Sequence, residues 1–401
     1  MLAPEGIVLG LGGTVDYEVQ WVSAVLESLA KEWGIGLSEL CDLPEITTER
    51  DLLISIISFI KRGIGGERHV VDPAIINSLA DRLPYTVTLG GTPVRAALVM
   101  AVRGVLATVH LVSTNDETRA LLPDGTRTIS SAIEDSLFPH LIVQYPAGAT
   151  VQVADGIVSA ARANRLIYTH DPPNEELVLA TELGDSVAQA SIFLISGLNI
   201  FKDEALLRER LSQLSSVCQK RPPHGMVIYE DAGFHIPGFS QIVREHLLPF
   251  IAVYSLNEDE AQDYLGRAVD LTNPSDVVLM MRDLHHLIPA QHLMVHTHLF
   301  AAMVGPESER FTPAIEAAVQ MASSKYHFGD SLTPEKLISL SSFPRNLDSG
   351  PIERELRAAF GSACTFSRGF LLDTETPTTI GLGDSFIGGF IAELAHTRDE
   401  E

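Results

Sequence analysis

The stretch TIGLGDSFIGGF at 379–390 sets a carboxylate, Asp384, directly behind Gly381, Leu382 and Gly383, where an apolar helical pattern begins. Two glycines let the backbone turn so that successive N–H groups point at one spot, and a helix N-terminus adds partial positive charge there. Such a nest stabilises negative charge on a transferring phosphoryl group, and a carboxylate beside it can take the proton of an attacking hydroxyl. The same residues also read as a plain N-cap before a tightly packed helix. Two strand ends carry more oxygens: MVIYED at 226–231 closes with Glu230 and Asp231, and IAVYSLNEDEA at 251–261 runs into Asn257, Glu258, Asp259 and Glu260. Hard oxygen ligands suit Mg²⁺, which keeps most of its waters and bridges to phosphate. The alternative is a helix cap with first-turn acids that complement the helix dipole.

A third group lies near the start. GLGGTVD at 10–16 follows the first strand pattern and ends in Asp16, and a second glycine pair, Gly90-Gly91-Thr92, follows YTVTL and opens another helix. Glycines at both places let a polyol approach the backbone, and Asp16 can accept two sugar hydroxyls; a pair of tight turns would need the same glycines. The first turn is not a dinucleotide fingerprint, because the last glycine of GxGxxG falls on Val15. His296 and His298 alternate along MVHTHLF and share a face. With no carboxylate or cysteine at ligand spacing, they suit packing or nucleotide contact better than a metal site. No GxSxG, HExxH or GxxxxGK[ST] occurs, so serine-hydrolase, zincin and Walker-type readings lack local support.

Parallel strands flanked by helices would position these groups. GIVLGL (6–11), VLATVHLV (105–112), ASIFLIS (190–196), MVIYE (226–230), IAVYSL (251–256) and HLMVHT (292–297) are apolar runs without polar alternation. Between them lie amphipathic patterns such as 204–217, 318–326 and 386–396. This rhythm predicts an α/β, doubly wound, mainly parallel sheet whose ligands bind beyond the strands' carboxyl ends. Residues 14–70, mostly helical and polar, and 136–182, with short strands LIVQYP, NRLIYTH and ELVLATEL, fit less well. Both are expected in a smaller discontinuous α/β lid, leaving 1–13, 71–135 and 183–401 to the large domain.

Composition narrows the partners. The chain has 401 residues, 45% hydrophobic, with 52 acidic against 28 basic residues and a formal charge of −24. Such a surface repels a phosphate backbone and an anionic bilayer, so no nucleic-acid or membrane partner is expected. Cys41, Cys218 and Cys364 lie far apart and form no CxxC pair, which fits a reducing compartment. The start, MLAPEGIVLG, has no basic leader, and no apolar run is long enough to span a bilayer. A cytoplasmic monomer or small homo-oligomer is the expectation.

Taken in order, GLGGTVD (10–16), GGERHV (65–70), TLGGTPVRAALVMA (88–101), NRLIYTHDPPNE (164–175), FLISGLNIF (193–201), VIYEDA (227–232), SLNEDEA (255–261), VHTH (295–298) and TIGLGDSF (379–386) resemble the ADP-dependent glucokinase and phosphofructokinase family. That family belongs to the ribokinase-like superfamily. The resemblance implies phosphoryl transfer from Mg·ADP to a sugar hydroxyl, leaving AMP. It makes Asp384 the base and gives the amides of Gly381, Leu382 and Gly383 to the anion hole. Asn257, Glu260 and Glu230 would organise Mg²⁺ largely through water, with Asp384 beside them. Asn257, His296, Thr297 and Gly381 would face the nucleotide. Gly12, Asp16, Gly90, Gly91 and Thr92 match the sugar loops. Glu67 falls where family glucokinases contact the sugar, leaning toward an unphosphorylated hexose. Arg165 and Asp171 match the lid, where the arginine would reach the phosphates.

Three positions depart from the family pattern: Gly12 and Thr92 stand where amide side chains are usual, and Ile228 replaces a histidine two residues before Glu230. Each lost amide would weaken discrimination by about 1–3 kcal/mol per unmet partner, which tells against glucose itself. The leading expectation is an ADP-dependent sugar kinase. The alternatives are an ATP-dependent kinase of a sugar or nucleoside, and a non-catalytic sugar or nucleotide sensor.

Overall fold

Each central strand of the large sheet divides its side chains between two cores, which is why its sequence reads as an unbroken apolar run. In the computed structural model, which describes residues 6–374 and 377–398, Val8, Phe193, Tyr229, Tyr254 and Leu293 face one core, while Leu9, Leu194, Ile228, Val253 and Met294 face the other. The first five residues, where the leaderless start was read, lie outside the described chain.

The nine strands run in the order Cys364–Arg368, Phe300–Val304, His292–His296, Ile251–Asn257, Met226–Glu230, Ile192–Ile195, Ile7–Leu9, Thr108–Leu111 and Arg127–Ser130. Eight point the same way, and Phe300–Val304 alone reverses direction, pairing antiparallel with both its neighbours. One face is covered by helices including Glu204–Gln219 and Pro274–Leu287, the other by Thr92–Val102, Thr312–Phe328 and Leu382–Arg398. The last of these runs between its two neighbours: side chains on Gly388 and Gly389 would strike Ala96 and Val99 on one side and Ala317 and Met321 on the other. That packing fixes where the helix begins, and so where Asp384 stands. No described helix is long and apolar enough to cross a membrane.

A second, five-stranded mixed sheet runs Gly66–His69, Asn164–Thr169, His140–Tyr145, Thr14–Val19 and Tyr85–Gly90. Helices Ser23–Glu32, Glu49–Arg62 and Pro73–Ala80 pack on one face through Leu26, Ile57 and Ile76 against Leu141, Val143, Leu166 and Tyr168. Helix Glu49–Arg62, expected to be polar, buries every residue from Leu52 to Ile60. The chain passes between the sheets at Gly12–Gly13 and returns at Gly90–Gly91. The two crossings touch, since a Cβ on Gly91 would lie 3.0 Å from Gly13 Cα.

Three expectations need correction. The segment 71–90, expected in the large unit, lies with the smaller sheet: Tyr85–Gly90 pairs antiparallel with Thr14–Val19. ELVLATEL is not a strand. Asp171 caps the amide of Asn174, and Pro172 and Pro173 preset the first turn of a short helix, Pro172–Glu176; Leu177 and Ala180 then turn into the large core. Arg127–Ser130, Phe300–Val304 and Cys364–Arg368 are strands that periodicity did not single out.

Candidate active site

Strand alternation in the smaller sheet collects the polar groups. Leu141, Val143, Leu166 and Tyr168 face the helices, so their neighbours His140, Gln144, Arg165 and Thr169 face the large sheet's carboxyl edge. Register sets Asp16 beside His140 and pairs Glu67 with Ile167. The open face of this sheet therefore presents Asp16, Glu67, His140 and Arg165 together.

Opposite it, Asp384 sits in the first turn of Leu382–Arg398, behind Gly381 at φ +68°. That left-handed turn needs glycine, and it lets Ser385 donate both its amide, at 2.9 Å, and its hydroxyl, at 2.7 Å, to the Gly381 carbonyl. The two sides meet at Arg95. Its Nη2 donates to Asp16 Oδ2 at 2.7 Å and to Glu18 Oε1 at 3.1 Å, and its Nε lies 3.9 Å from Asp384 Oδ2. Burial works against the charge of Arg95, but Asp16, Asp384 and Glu18 together hold its pKa above the ordinary value. Asp16 Oδ1 is buried without a hydrogen-bond partner, so one carboxylate lone pair awaits a donor. A Cβ on Gly90 would collide with both Asp16 oxygens, which accounts for the glycine there.

The strand-end oxygens lie against the same helix start. His296 Nε2 and Glu230 Oε1 are 3.1 Å apart, and a Cβ on Gly383 would stand 3.6 Å from both Glu230 Oε1 and His296 Cε1. His296 also stacks on Phe386, with ring centroids 4.4 Å apart. Burial disfavours the imidazolium, but Glu230, then Glu260 and Glu258, raise its pKa. Asn257 and Glu260 form a reciprocal capping box: Glu260 accepts from the Asn257 amide at 2.7 Å and from its Nδ2 at 2.8 Å. Burial, with Asp231 and Glu230 nearby, pushes Glu260 up to about 8. Asp231 itself is held by the Tyr254, Tyr264 and Tyr229 hydroxyls at 2.6, 2.5 and 3.3 Å.

These residues fit a hydrated divalent cation better than a directly ligated one. Glu230 Oε2 is a buried acceptor with no partner, and Glu260, held toward its neutral form by burial and its acidic neighbours, is a group whose charged form a nearby cation would restore. Among the described residues no cluster of three or more His, Cys, Asp or Glu has the geometry of a direct metal cage.

A cavity of about 280 Å³ opens between the sheets beyond Asp16 and is lined by Glu67, His69, His140, Asp171, Asn174, Lys202 and His235, among others. His140 bridges its ends, 3.7 Å from Asp16 Oδ1 and 3.1 Å from Asp171 Oδ2. Burial opposes its charge, but Asp171, Asp16 and Glu67 raise its pKa to about 9. His235 Nε2 lies 3.4 Å from Glu67 Oε1 and, with His140 and Arg165, holds Glu67 below the usual carboxylate value despite its burial. Lys202 Nζ donates to Glu175 at 2.7 Å and lies 3.3 Å from His69 Nδ1.

Residues 5–344 match the model of the ADP-specific phosphofructokinase/glucokinase conserved region. The chain belongs to that family. The GLGD segment lies beyond the matched residues, so the placement of Asp384 at the site is an independent observation. Nothing among curated proteins matches the chain. Among solved structures, it is similar to a hypothetical ADP-dependent phosphofructokinase from Pyrococcus horikoshii OT3, at 15% identity over 100% of both chains and a TM-score of 0.79. An ADP-dependent kinase in complex with fructose 6-phosphate and ADPβS matches at 13% identity over 99% of this chain and 95% of that one, with a TM-score of 0.72. A reconstructed last common ancestor of ADP-dependent phosphofructokinases from Methanosarcinales matches at 14% identity, 98% and 94% coverage and a TM-score of 0.71. At these identities the likeness shows the ribokinase-like α/β fold.

Within this family member, Asp384, Gly381, Gly383, Asp16, Gly90, Glu230 and His296 converge at the helix start, while Glu67 and Asp171 line the cavity. Arg165 reaches across from the smaller sheet and donates to the Thr379 carbonyl at 2.6 Å, just ahead of the nest. Leu382 and Thr92 begin their helices. Thr297 is spent elsewhere: its hydroxyl donates to Phe300 O at 2.9 Å and accepts from the Leu299 and Phe300 amides, closing a hairpin turn. His296 has the carboxylate partner that spacing alone did not reveal.

Two departures from the family pattern are filled from elsewhere. Ile228 is core, and His296 supplies the imidazole beside Glu230. The volume a side chain at Gly12 would need is taken by the Asn174 amide, which donates to Gly13 O at 3.1 Å and accepts from Gly13 N at 3.2 Å. Arg95, His140, Asn174, Lys202 and His235 were not singled out from sequence. The one available signal was Arg95, a lone charge inside the apolar helix PVRAALVMAV.

Proposed function

We propose that the chain transfers the β-phosphoryl group of ADP to a hydroxyl of a hexose phosphate, releasing AMP. The observation that carries this reading is that Asp16, with an unmet acceptor oxygen, and Asp384 meet at one guanidinium where a helix N-terminus opens. A sugar hydroxyl donating to Asp16 Oδ1 would anchor the acceptor so that a neighbouring hydroxyl lies near the Asp384 carboxylate, which takes the proton of that second hydroxyl as attack begins. The amides of Gly381, Leu382 and Gly383 and the helix dipole hold the transferring group. Arg165 joins the smaller sheet to the loop ahead of the nest, so closure of that sheet would both exclude water and set the nest. Mg²⁺ would be organised through water by Glu230, Glu260 and Asn257, and when bound it neutralises phosphate charge.

The acceptor end favours a phosphorylated sugar over a free hexose. Glu67 points toward glucose only if its carboxylate is free, and here His235 engages it. Lys202 and His235 add two cationic groups to the cavity wall, held there by Glu175 and Glu67, which a phosphate could take over as partners, while burial and Lys202 keep His69 toward its neutral form. The test is AMP release from Mg·ADP with glucose, fructose 6-phosphate and a panel of other sugars, with ATP in parallel. AMP formed with a sugar phosphate and not with free hexoses supports the reading. Turnover only with ATP overturns the donor. Silence with both nucleotides favours a binding protein. Asp384→Asn should lower turnover at least about 10³-fold while ADP binding persists; unchanged turnover would remove the base from the scheme.

A further inference from the structure

Arg95 is more than the partner of Asp16. Its side chain is only 8% exposed, and it sits among three carboxylates from two different elements, Asp16 and Glu18 on one strand and Asp384 on the C-terminal helix. Nη2 commits its protons to Asp16 and Glu18. Nε lies 3.9 Å from Asp384 Oδ2, too far for a hydrogen bond. Nη1 has no hydrogen bond among the described residues, and it lies against the turn of the anion nest: a Cβ on Gly381 would stand 3.0 Å from it. A guanidinium carries five donors in a rigid fork. Here one edge is anchored to the acceptor-side acids, and the remaining donors lie where negative charge gathers.

We propose that Arg95 is a catalytic residue of the phosphoryl transfer, stabilising with its Nη1 edge the charge that grows on the transferring group. The proposal rests on the kinase reading above. In the step, the acceptor oxygen bonds to the β-phosphorus, and the bond to the bridging oxygen breaks with its electron pair passing to AMP. The hydroxyl proton goes to Asp384, and Arg95 exchanges none. Because the same guanidinium grips Asp16, occupation of the acceptor site and readiness of the phosphoryl site share one side chain. A cation used in this way is worth most in the transition state.

Arg95→Gln and Arg95→Lys, compared with wild type, test it. AMP release is measured at saturating Mg·ADP with whichever sugar of the panel above supports wild-type turnover. The proposal expects Arg95→Gln to lower kcat about 10³-fold with the KM for ADP within about 3-fold. Arg95→Lys, whose single ammonium cannot hold Asp16 and the nest together, should lose about 10²-fold in kcat. A loss confined to the KM of the sugar, with kcat within about 10-fold of wild type, would make Arg95 a positioning residue and overturn the proposal. Circular dichroism and calorimetric ADP binding report whether Arg95→Gln folds. If it does not, Arg95→Lys decides, and wild-type kcat in that variant overturns the proposal. An active wild type with a kcat for Arg95→Gln within about 10-fold of its own refutes this inference alone; a wild type that forms no AMP with any sugar of the panel refutes it together with the kinase reading.

Discussion

Asn174→Ala removes one buried amide that joins the cavity to the crossing between the two sheets. The Asn174 side chain accepts from Gly13 N at 3.2 Å, donates to Gly13 O at 3.1 Å and donates to Asp171 Oδ2 at 2.7 Å. Alanine leaves the buried Gly13 N–H and C=O without those partners, at about 1–3 kcal/mol each. The third bond ends on a carboxylate that keeps His140 as a partner, so its loss costs less. Water entering the vacated space recovers part of the total, and a net destabilisation of about 2–4 kcal/mol follows. The freed crossing carries Asp16 three residues beyond Gly13, so the KM for the acceptor should rise about 10-fold or more while that for ADP changes little. Thermal melting and steady-state kinetics on one preparation check both halves. A loss of stability under about 0.5 kcal/mol would refute the assigned bonds. Stability lost as worked, with an unchanged acceptor KM, would refute the link between the crossing and the sugar site.

Gly381→Ala should cost at least about 10²-fold in turnover, because its φ of +68° and the 3.0 Å approach of Arg95 leave no room for a side chain; Gly383→Ala, whose Cβ would meet nothing closer than 3.6 Å, should stay within about 10-fold in the same assay. His140, raised to about 9 in the fold by Asp171 and Asp16 against its burial, contributes stability that is fully present below its unfolded value near 6.5 and lost as pH rises through about 9. The melting temperature gap between wild type and His140→Asn should therefore be wide at pH 6 and narrow by pH 10, and a gap that widens with pH would show that the histidine is not held charged. Glu230→Gln should raise the Mg²⁺ concentration needed for half-maximal turnover several-fold, and an unchanged Mg²⁺ titration would separate Glu230 from the metal.

What could be read from sequence divides along the reach of the interactions. Ile7–Leu9, Ile192–Ile195 and Met226–Glu230 were legible because a strand buried on both faces must be apolar throughout, whatever its neighbours are. Tyr85–Gly90 was legible as a strand but not as to its sheet, since its partner Thr14–Val19 lies about seventy residues earlier and nothing local distinguishes the two sheets. The acids of the site announced themselves through flanking glycines, at Asp16 and Asp384. Their cations did not, because each is defined by a carboxylate far along the chain: Arg95 by Asp16, 79 residues away, and His296 by Glu230, 66 residues away.

The same distances govern how a missing motif residue is judged. Ile228 in place of histidine reads as a polar neighbour lost, yet the imidazole beside Glu230 comes from the adjacent region of the sheet. Gly12 in place of an amide reads as a hydrogen-bonding group lost, yet an amide from residue 174 fills the same volume from 161 residues beyond Gly13. A buried carboxylate or turn needs a partner of a given chemistry at a given place, and the fold can bring that partner from any segment that reaches. At Thr92 no amide side chain is hydrogen-bonded among the described residues, so on the proposed kinase reading the discrimination lost with its amide is to be sought at the hydroxyl facing the second glycine turn rather than at the one facing Gly12.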